Sequence, residues 1–221
     1  MDDAGVLGRL WSKVSNALRE PGSDGSISIA EIIEPGIQSL LARILEENLD
    51  HEGKINLKDK EVLIKIILYL IENGFSIEEL SEALDWFQFE YLCMKIMEYH
   101  NFDCKLHYCF YLEKKRFEID ILGQRDNLLL AVDVKHWSPR YGKKSALVKY
   151  AEKQEERVRR LIKTDRFRID YSSLKIDSII PVIVTWYDEN ILFYSGVPFV
   201  PVYKLNNFLS TLQQYDLKNI L

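Results

Sequence analysis

Cysteine is scarce in this chain. Cys93, Cys104 and Cys109 leave an odd thiol under any pairing, so no disulfide framework is expected and a reducing cytoplasm is the expected home. No apolar run reaches the ~20 residues of a membrane span, so no membrane partner is expected. The opening stretch MDDAGVLGRLWSKV starts acidic and lacks the layout of a secretory signal. There is no C-x-x-C pair. Cys93, His100, Cys104, His107 and Cys109 crowd one span, yet structural zinc normally uses tight pairs, which argues against a zinc site there. Internal repeats and low-complexity tracts are also missing. A positive excess is missing too: 29 Lys and Arg stand against 34 Asp and Glu, a net charge of −5, which by itself argues against a nucleic-acid partner.

What is present is enough for a packed body. Of 221 residues, 47% are hydrophobic, room for one large domain or a medium one with a small one. The charge is split along the chain. Residues 1–100 carry 9 Lys and Arg against 19 Asp and Glu, whereas residues 135–168 carry 12 against 4. A basic block inside an acidic protein is either a solvated helix face or a phosphate-binding surface.

The spacing of apolar residues divides the chain near residue 85. Val6, Leu7, Leu10, Trp11, Val14 and Leu18 lie on one helical face, and EPGSDGS, near residues 20–27, reads as a linker. Residues 27–85 read as all-helical. Leu57, Val62, Ile66, Ile67 and Leu70 share a face, Gly74 suits a helix end, and Ser76 with Glu79 forms a capping pattern. Helix, turn and short helix resemble a DNA-reading motif, but the segment has few basic groups, so it reads as a scaffold or as a surface for a protein partner. From Asp85, with Gln88 as its capping partner, the order is α-β-β-β-α-β-β-α. That pattern predicts an α/β domain, residues 86–221, around a mixed sheet.

The informative stretch is FEIDILGQRDNLLLAVDVKHW, residues 117–137. It reads as two apolar strands around a polar turn, yet it holds Asp120, Asp133 and Lys135. Charges on a buried strand need partners or a cation. Residues two apart share a face, so Asp133 and Lys135 point one way, as do Glu118 and Asp120. Converging carboxylates suit Mg²⁺ or Mn²⁺. If Leu122 pairs with Leu128, however, Asp120 faces Leu130 and Asp133 lies on the other side. Convergence therefore predicts a register shifted by one residue, or an irregularity near residues 117–120.

An aspartate on one strand, followed by Asp-x-Lys on the next, resembles the PD-(D/E)xK nuclease superfamily, with the restriction-endonuclease-like fold. Archaeal Holliday junction resolvases and Mrr-type restriction endonucleases are the nearer likenesses. The likeness covers roughly residues 86–200. FEYLCMKIMEYHNF matches the preceding helix, with Glu90 as its acid, and Ile119 stands where the motif's proline would be. The resemblance implies that Asp120, Asp133, Glu90 and the Val134 carbonyl bind Mg²⁺, with Mn²⁺ able to substitute. It makes Lys135 the catalytic lysine and Gln154 the polar residue of the next helix. It also implies phosphodiester hydrolysis, DNA as substrate and dimerisation. An RNA nuclease with the same site, a non-catalytic nucleic-acid-binding or assembly protein of this fold, and a helical partner-binding protein with an internal salt bridge are the alternatives.

Two readings do not depend on the resemblance. Gln154 lies on the apolar stripe Leu147, Ala151, Val158, Leu161, so its amide must find a partner at the sheet edge or in the site. Lys149, Lys153, Arg157 and Arg160, with Lys143 and Lys144 before them, form an outward basic face suited to phosphates.

Overall fold

The computed structural model describes residues 3–19, 25–28, 38, 41, 54–81, 83–135, 144–186 and 192–221. These form two compact units, Met1–Gln88 and Phe89–Leu221.

In the first unit, helix α1 (Asp3–Arg19) buries Leu7, Leu10 and Val14, the centre of its apolar face. The region beyond it is not wholly helical. Strand β1 (Ser26–Ser28) pairs antiparallel with β2 (Lys54–Asn56), and Gly25 enters the ribbon at φ 73°, a left-handed conformation that favours glycine. Of residues 29–53, also expected to be helical, only Gln38 and Leu41 are described. Helix α2 (Lys60–Glu72) is capped by the Asp59 side chain, which accepts from the Glu61 N–H at 2.9 Å, and it buries Val62, Leu63, Ile64, Ile66, Ile67 and Leu70. Gly74 follows it at φ 91°. A short helix α3 (Ile77–Ser81) leads to α4 (Trp86–Tyr99). The start of α4 is fixed by a reciprocal box: Gln88 N–H donates to Asp85 Oδ1 at 2.8 Å, and Asp85 N–H to Gln88 Oε1 at 2.9 Å.

The second unit is α/β. Its elements are α4 from Phe89 onward, β3 (Asp103–Leu112), β4 (Lys115–Arg125), β5 (Leu128–Lys135), α5 (Lys144–Leu161), α6 (Asp165–Asp170), β6 (Ser178–Thr185), β7 (Leu192–Tyr194), β8 (Val197–Pro201) and α7 (Val202–Ser210). One six-stranded mixed sheet runs β3-β4-β5-β6-β8-β7, with β5, β6 and β8 parallel. Helices cover both faces. On one, Leu122, Leu129 and Ala131 pack with Val158 and Leu161 of α5. On the other, a Cβ added at Gly123 would stand 3.3 Å from Cys104 Sγ and closer still to the Met97 methyl group of α4, so none fits without movement. That contact seats α4, the helix that carries Glu90.

Two elements go beyond the expected order. Helix α6 is short, and β8 (VPFVP) hides its strand character behind Pro198 and Pro201. Helix α5 begins at Lys144, with Ser145 already inside it.

The register of the charged hairpin differs from the even pairing. Arg125 pairs with Leu128 and Ile121 with Val132, leaving Asp126 and Asn127 as a two-residue turn with Asp126 at φ 52°. Asp120 is then next in line opposite Asp133. No residue is inserted near 117–120, since β3 pairs two for two on either side: Leu106 with Ile121 and Tyr108 with Ile119. The irregularity is a change of face. Ile119 and Leu122, three residues apart, belong to one apolar cluster, and His107, between the paired Leu106 and Tyr108, has φ 49°. The ladder between β4 and β5 stops at Ile121, so the strands part where the two aspartates stand.

Candidate metal and phosphoryl-transfer site

Where β4 leaves β5, the Asp120 side chain replaces the missing ladder bond. Its Oδ2 accepts from the Val134 N–H at 2.7 Å. Burial pushes the Asp120 carboxyl up to about 6, and the charge of Asp133 adds to it; the Val134 N–H, Lys135 and Arg157 act the other way. Two carboxylates are thus held close in a partly desolvated place.

Asp133 is 3% exposed and sits among cations. Lys135 Nζ lies 2.6 Å from its Oδ2 and Arg157 Nη1 2.6 Å from its Oδ1. Arg157 therefore does not face outward, as the helical wheel suggests. It turns under α5, where its Nη1 also donates to Gln154 Oε1 at 2.8 Å. Gln154, 1% exposed, donates from Nε2 to the Ala131 carbonyl at 2.8 Å. It ties α5 to β5 and holds the arginine that holds Asp133. Gln154→Ala removes both bonds and leaves a cavity. It is expected to lower stability by about 1–3 kcal/mol, read by chemical denaturation.

Glu90 is buried at 2% exposure in the first part of α4. Its Oε2 lies 3.5 Å from His107 Nε2, and His107 Nδ1 lies 3.2 Å from Glu118 Oε1. Glu118 also accepts from Cys109 Sγ at 3.1 Å and from Arg116 at 2.8 Å. Those neighbours, the Cys109 hydrogen bond foremost, hold its carboxyl below the usual range. Glu90 and Asp120 both act on the buried Cys93 thiol, which burial and then Glu90 push far up. Among the described residues, no three His, Cys, Asp or Glu side chains are grouped as a metal-binding set. Glu90 faces His107. The donor chemistry of the aspartate pair nevertheless fits a divalent cation: two hard oxygen ligands lie close together, balanced by side-chain cations.

Sequence reasoning does not find three of the neighbours in these roles. His107, opposite Asp120, reads from sequence only as a zinc candidate. Arg157, at the flank of the apolar stripe, reads from sequence only as part of the outward basic face. Thr185, 1% exposed, is beside Lys135 in the parallel register, and its hydroxyl has no hydrogen-bond partner among the described residues. The signal for Thr185 is a polar residue ending the apolar run IIPVIV. Of the remaining basic residues, Lys143 and the Lys144 side chain lie outside the described residues. Lys149 and Lys153 are exposed, and Arg160 is half-buried.

These features define an α/β protein with a mixed six-stranded sheet and an aspartate pair beside a lysine where two strands part. An uncharacterized protein of Archaeoglobus fulgidus is 34% identical over 130 residues, 59% of this chain and 93% of that protein. This chain belongs to the same family as that archaeal protein. No protein-family profile matches the chain. The crystal structure of protein VC1899 from Vibrio cholerae aligns over 96% of this chain at 12% identity and a TM-score of 0.39. The chain spans about half of that protein, at 52% of its length, and so remote a likeness bears on neither fold nor function. No helix among the described residues is long and apolar enough to cross a membrane.

Proposed function

We propose that this protein is a metal-dependent nuclease that hydrolyses DNA phosphodiester bonds. The observation that carries the reading is the convergence of Asp120 and Asp133 at the parting of β4 and β5, with Lys135 Nζ 2.6 Å from Asp133. Asp120 and Asp133 would hold Mg²⁺ or Mn²⁺, with the Val134 carbonyl and Glu90 as further oxygen donors. When bound, the cation supplies positive charge to the scissile phosphate and acidity to the attacking water. Lys135 orients the nucleophile and stabilises charge developing on the phosphate. Gln154 and Arg157 position Asp133. A homodimer would present two such sites to two strands, and the acidic N-terminal unit is a surface for a protein partner.

A second reading is favoured by one observation: both Asp133 oxygens already have cationic partners. On that reading the protein binds nucleic acid without cutting it, and the charges form an internal network. A cleavage panel of duplex, flap, junction and single-stranded DNA, and RNA, with Mg²⁺, Mn²⁺ or EDTA, separates the two. Metal-dependent cleavage that EDTA abolishes is expected. Salt-sensitive binding with no cleavage on any member of the panel would leave the second reading standing.

A further inference from the structure

Beside the aspartate pair runs a groove of about 500 Å³, between α5 and the start of β4. Lys149, Lys153, Arg157 and Arg160 reach it from the helix, and Lys115 from the hairpin opposite. Two carboxylates, Glu152 and Glu156, also line it, and Glu156 Oε1 is already held by Arg160 Nε at 2.8 Å. The groove therefore has a positive excess inside an acidic protein. Its hairpin wall is aromatic. Phe117 stacks on Phe110 with ring centroids 5.4 Å apart and planes 19° from parallel, and the Arg160 guanidinium lies 5.0 Å over the Phe117 ring. Arg157 joins the groove to the site, because it both lines the groove and contacts Asp133 at 2.6 Å.

We infer that this groove binds a single-stranded segment of polynucleotide and delivers it to Asp133, with phosphates on Lys115, Lys149 and Lys153 and a base against the Arg160–Phe117 stack. The space is of the size that takes a small-molecule-sized group, hence a nucleotide or two and not the girth of a duplex. A flat guanidinium backed by an aromatic ring offers a stacking surface, and bases present free faces only where a strand is unpaired. Cations on both walls match a backbone that carries one charge per nucleotide. The inference rests on the nuclease reading for what happens at Asp133, but strand binding does not require cleavage.

The test is fluorescence anisotropy in EDTA with oligo-dT, oligo-rU and a duplex, each about 12 nucleotides long. Wild type is expected to bind one of the single strands at least about tenfold tighter than the duplex, and the tighter of the two identifies the sugar. Lys115→Glu with Lys153→Glu is expected to weaken single-strand binding about tenfold or more and to flatten its log–log salt slope by roughly 1.4, two lost contacts at about 0.7 each. Lys175→Glu is the control: this 80%-exposed lysine pairs with Asp177 outside the groove, and binding is expected to stay within about twofold. Arg160→Lys keeps the charge and loses the plane, so single-strand affinity falls several-fold while duplex affinity holds. Equal or tighter binding of the duplex, or unchanged single-strand affinity in the double variant or in Arg160→Lys, would overturn the inference. Cleavage with Mg²⁺ is scored separately. Groove-dependent binding without cleavage would sink the nuclease reading alone, whereas cleavage that survives the double variant with unaltered binding would sink the groove alone.

Discussion

Asp120→Asn is expected to abolish metal-dependent cleavage and, at pH 8, to raise the thermal midpoint of the metal-free protein. Most substitutions of a partly buried, hydrogen-bonded residue destabilise. This one is expected to act otherwise because the ionised carboxylate is held at a cost. Burial and the neighbouring Asp133 raise the Asp120 carboxyl to about 6, against roughly 3.9 in an unfolded chain. A folded-state value above the unfolded one means that folding favours the protonated form. The cost is therefore absent below about pH 4, grows as the pH rises through 6, and is complete above it. The gap between the two values corresponds to about 3 kcal/mol at most. The asparagine Oδ1 still accepts from the Val134 N–H, while its amide must find an acceptor, so a net gain of about 1–2 kcal/mol is expected. For a chain of this length that is roughly 2–8 °C. Wild type should itself gain stability between pH 8 and pH 5. It should also gain on addition of Mn²⁺ or Mg²⁺, because a cation that binds only the folded protein stabilises it; the variant should lose both responses. A lower midpoint at pH 8, with no response of wild type to metal, would show an ordinary structural aspartate.

What is legible in the sequence follows from local patterns. The strand DCKLHYCFYL, the two hairpin strands and the apolar run SIIPVIVT all lie where alternation and β-branched content put them. The Asp85–Gln88 box is visible as two residue types at fixed spacing. The register is not legible, because it turns on which two residues of GQRDN form the turn, and a shift of one exchanges the faces of the whole strand. The change of face at Ile119 coincides with a positive φ at His107 on the neighbouring strand, a conformation that sequence does not signal for histidine in a strand. β8 escapes a sequence reading because two prolines in five residues look like a loop.

Arg157 shows a different limit. On a helical wheel it flanks the stripe that contains Gln154, and a flanking arginine ordinarily extends to solvent. Here a buried carboxylate lies within reach across the helix–sheet layer, and a buried charge draws in a partner. Which cation Asp133 recruits from another element is a tertiary fact. The demand itself is visible in the sequence: an aspartate in the run LLLAVDVK has to be compensated by something.

Lys135→Ala is expected to lower cleavage by a factor of ~10² or more while leaving most of the stability in place. The two parts of that outcome come from different neighbours of one carboxylate. Lys135 lies at the end of β5 with its side chain 19% exposed, so its ammonium stands at the margin of the buried pair, within reach of a phosphate oxygen or a water. Removing a group that stabilises developing charge slows the chemical step far more than it alters ground-state structure. Taking one partner from a buried ion pair ordinarily costs about 3–5 kcal/mol because a bare charge remains. Here Asp133 keeps Arg157 Nη1 at 2.6 Å, with Gln154 holding that guanidinium in place, so a loss of about 1–2 kcal/mol is expected instead. Lys135→Arg restores the positive charge and the pairing. Its thermal midpoint should return to near the wild-type value, while the bulkier, flat head fails to restore the rate. The measurements are thermal midpoint and metal-dependent cleavage for both variants. Alanine that melts early yet still cuts, with arginine recovering stability alone, would make Lys135 half of a structural salt bridge and remove it from the chemistry.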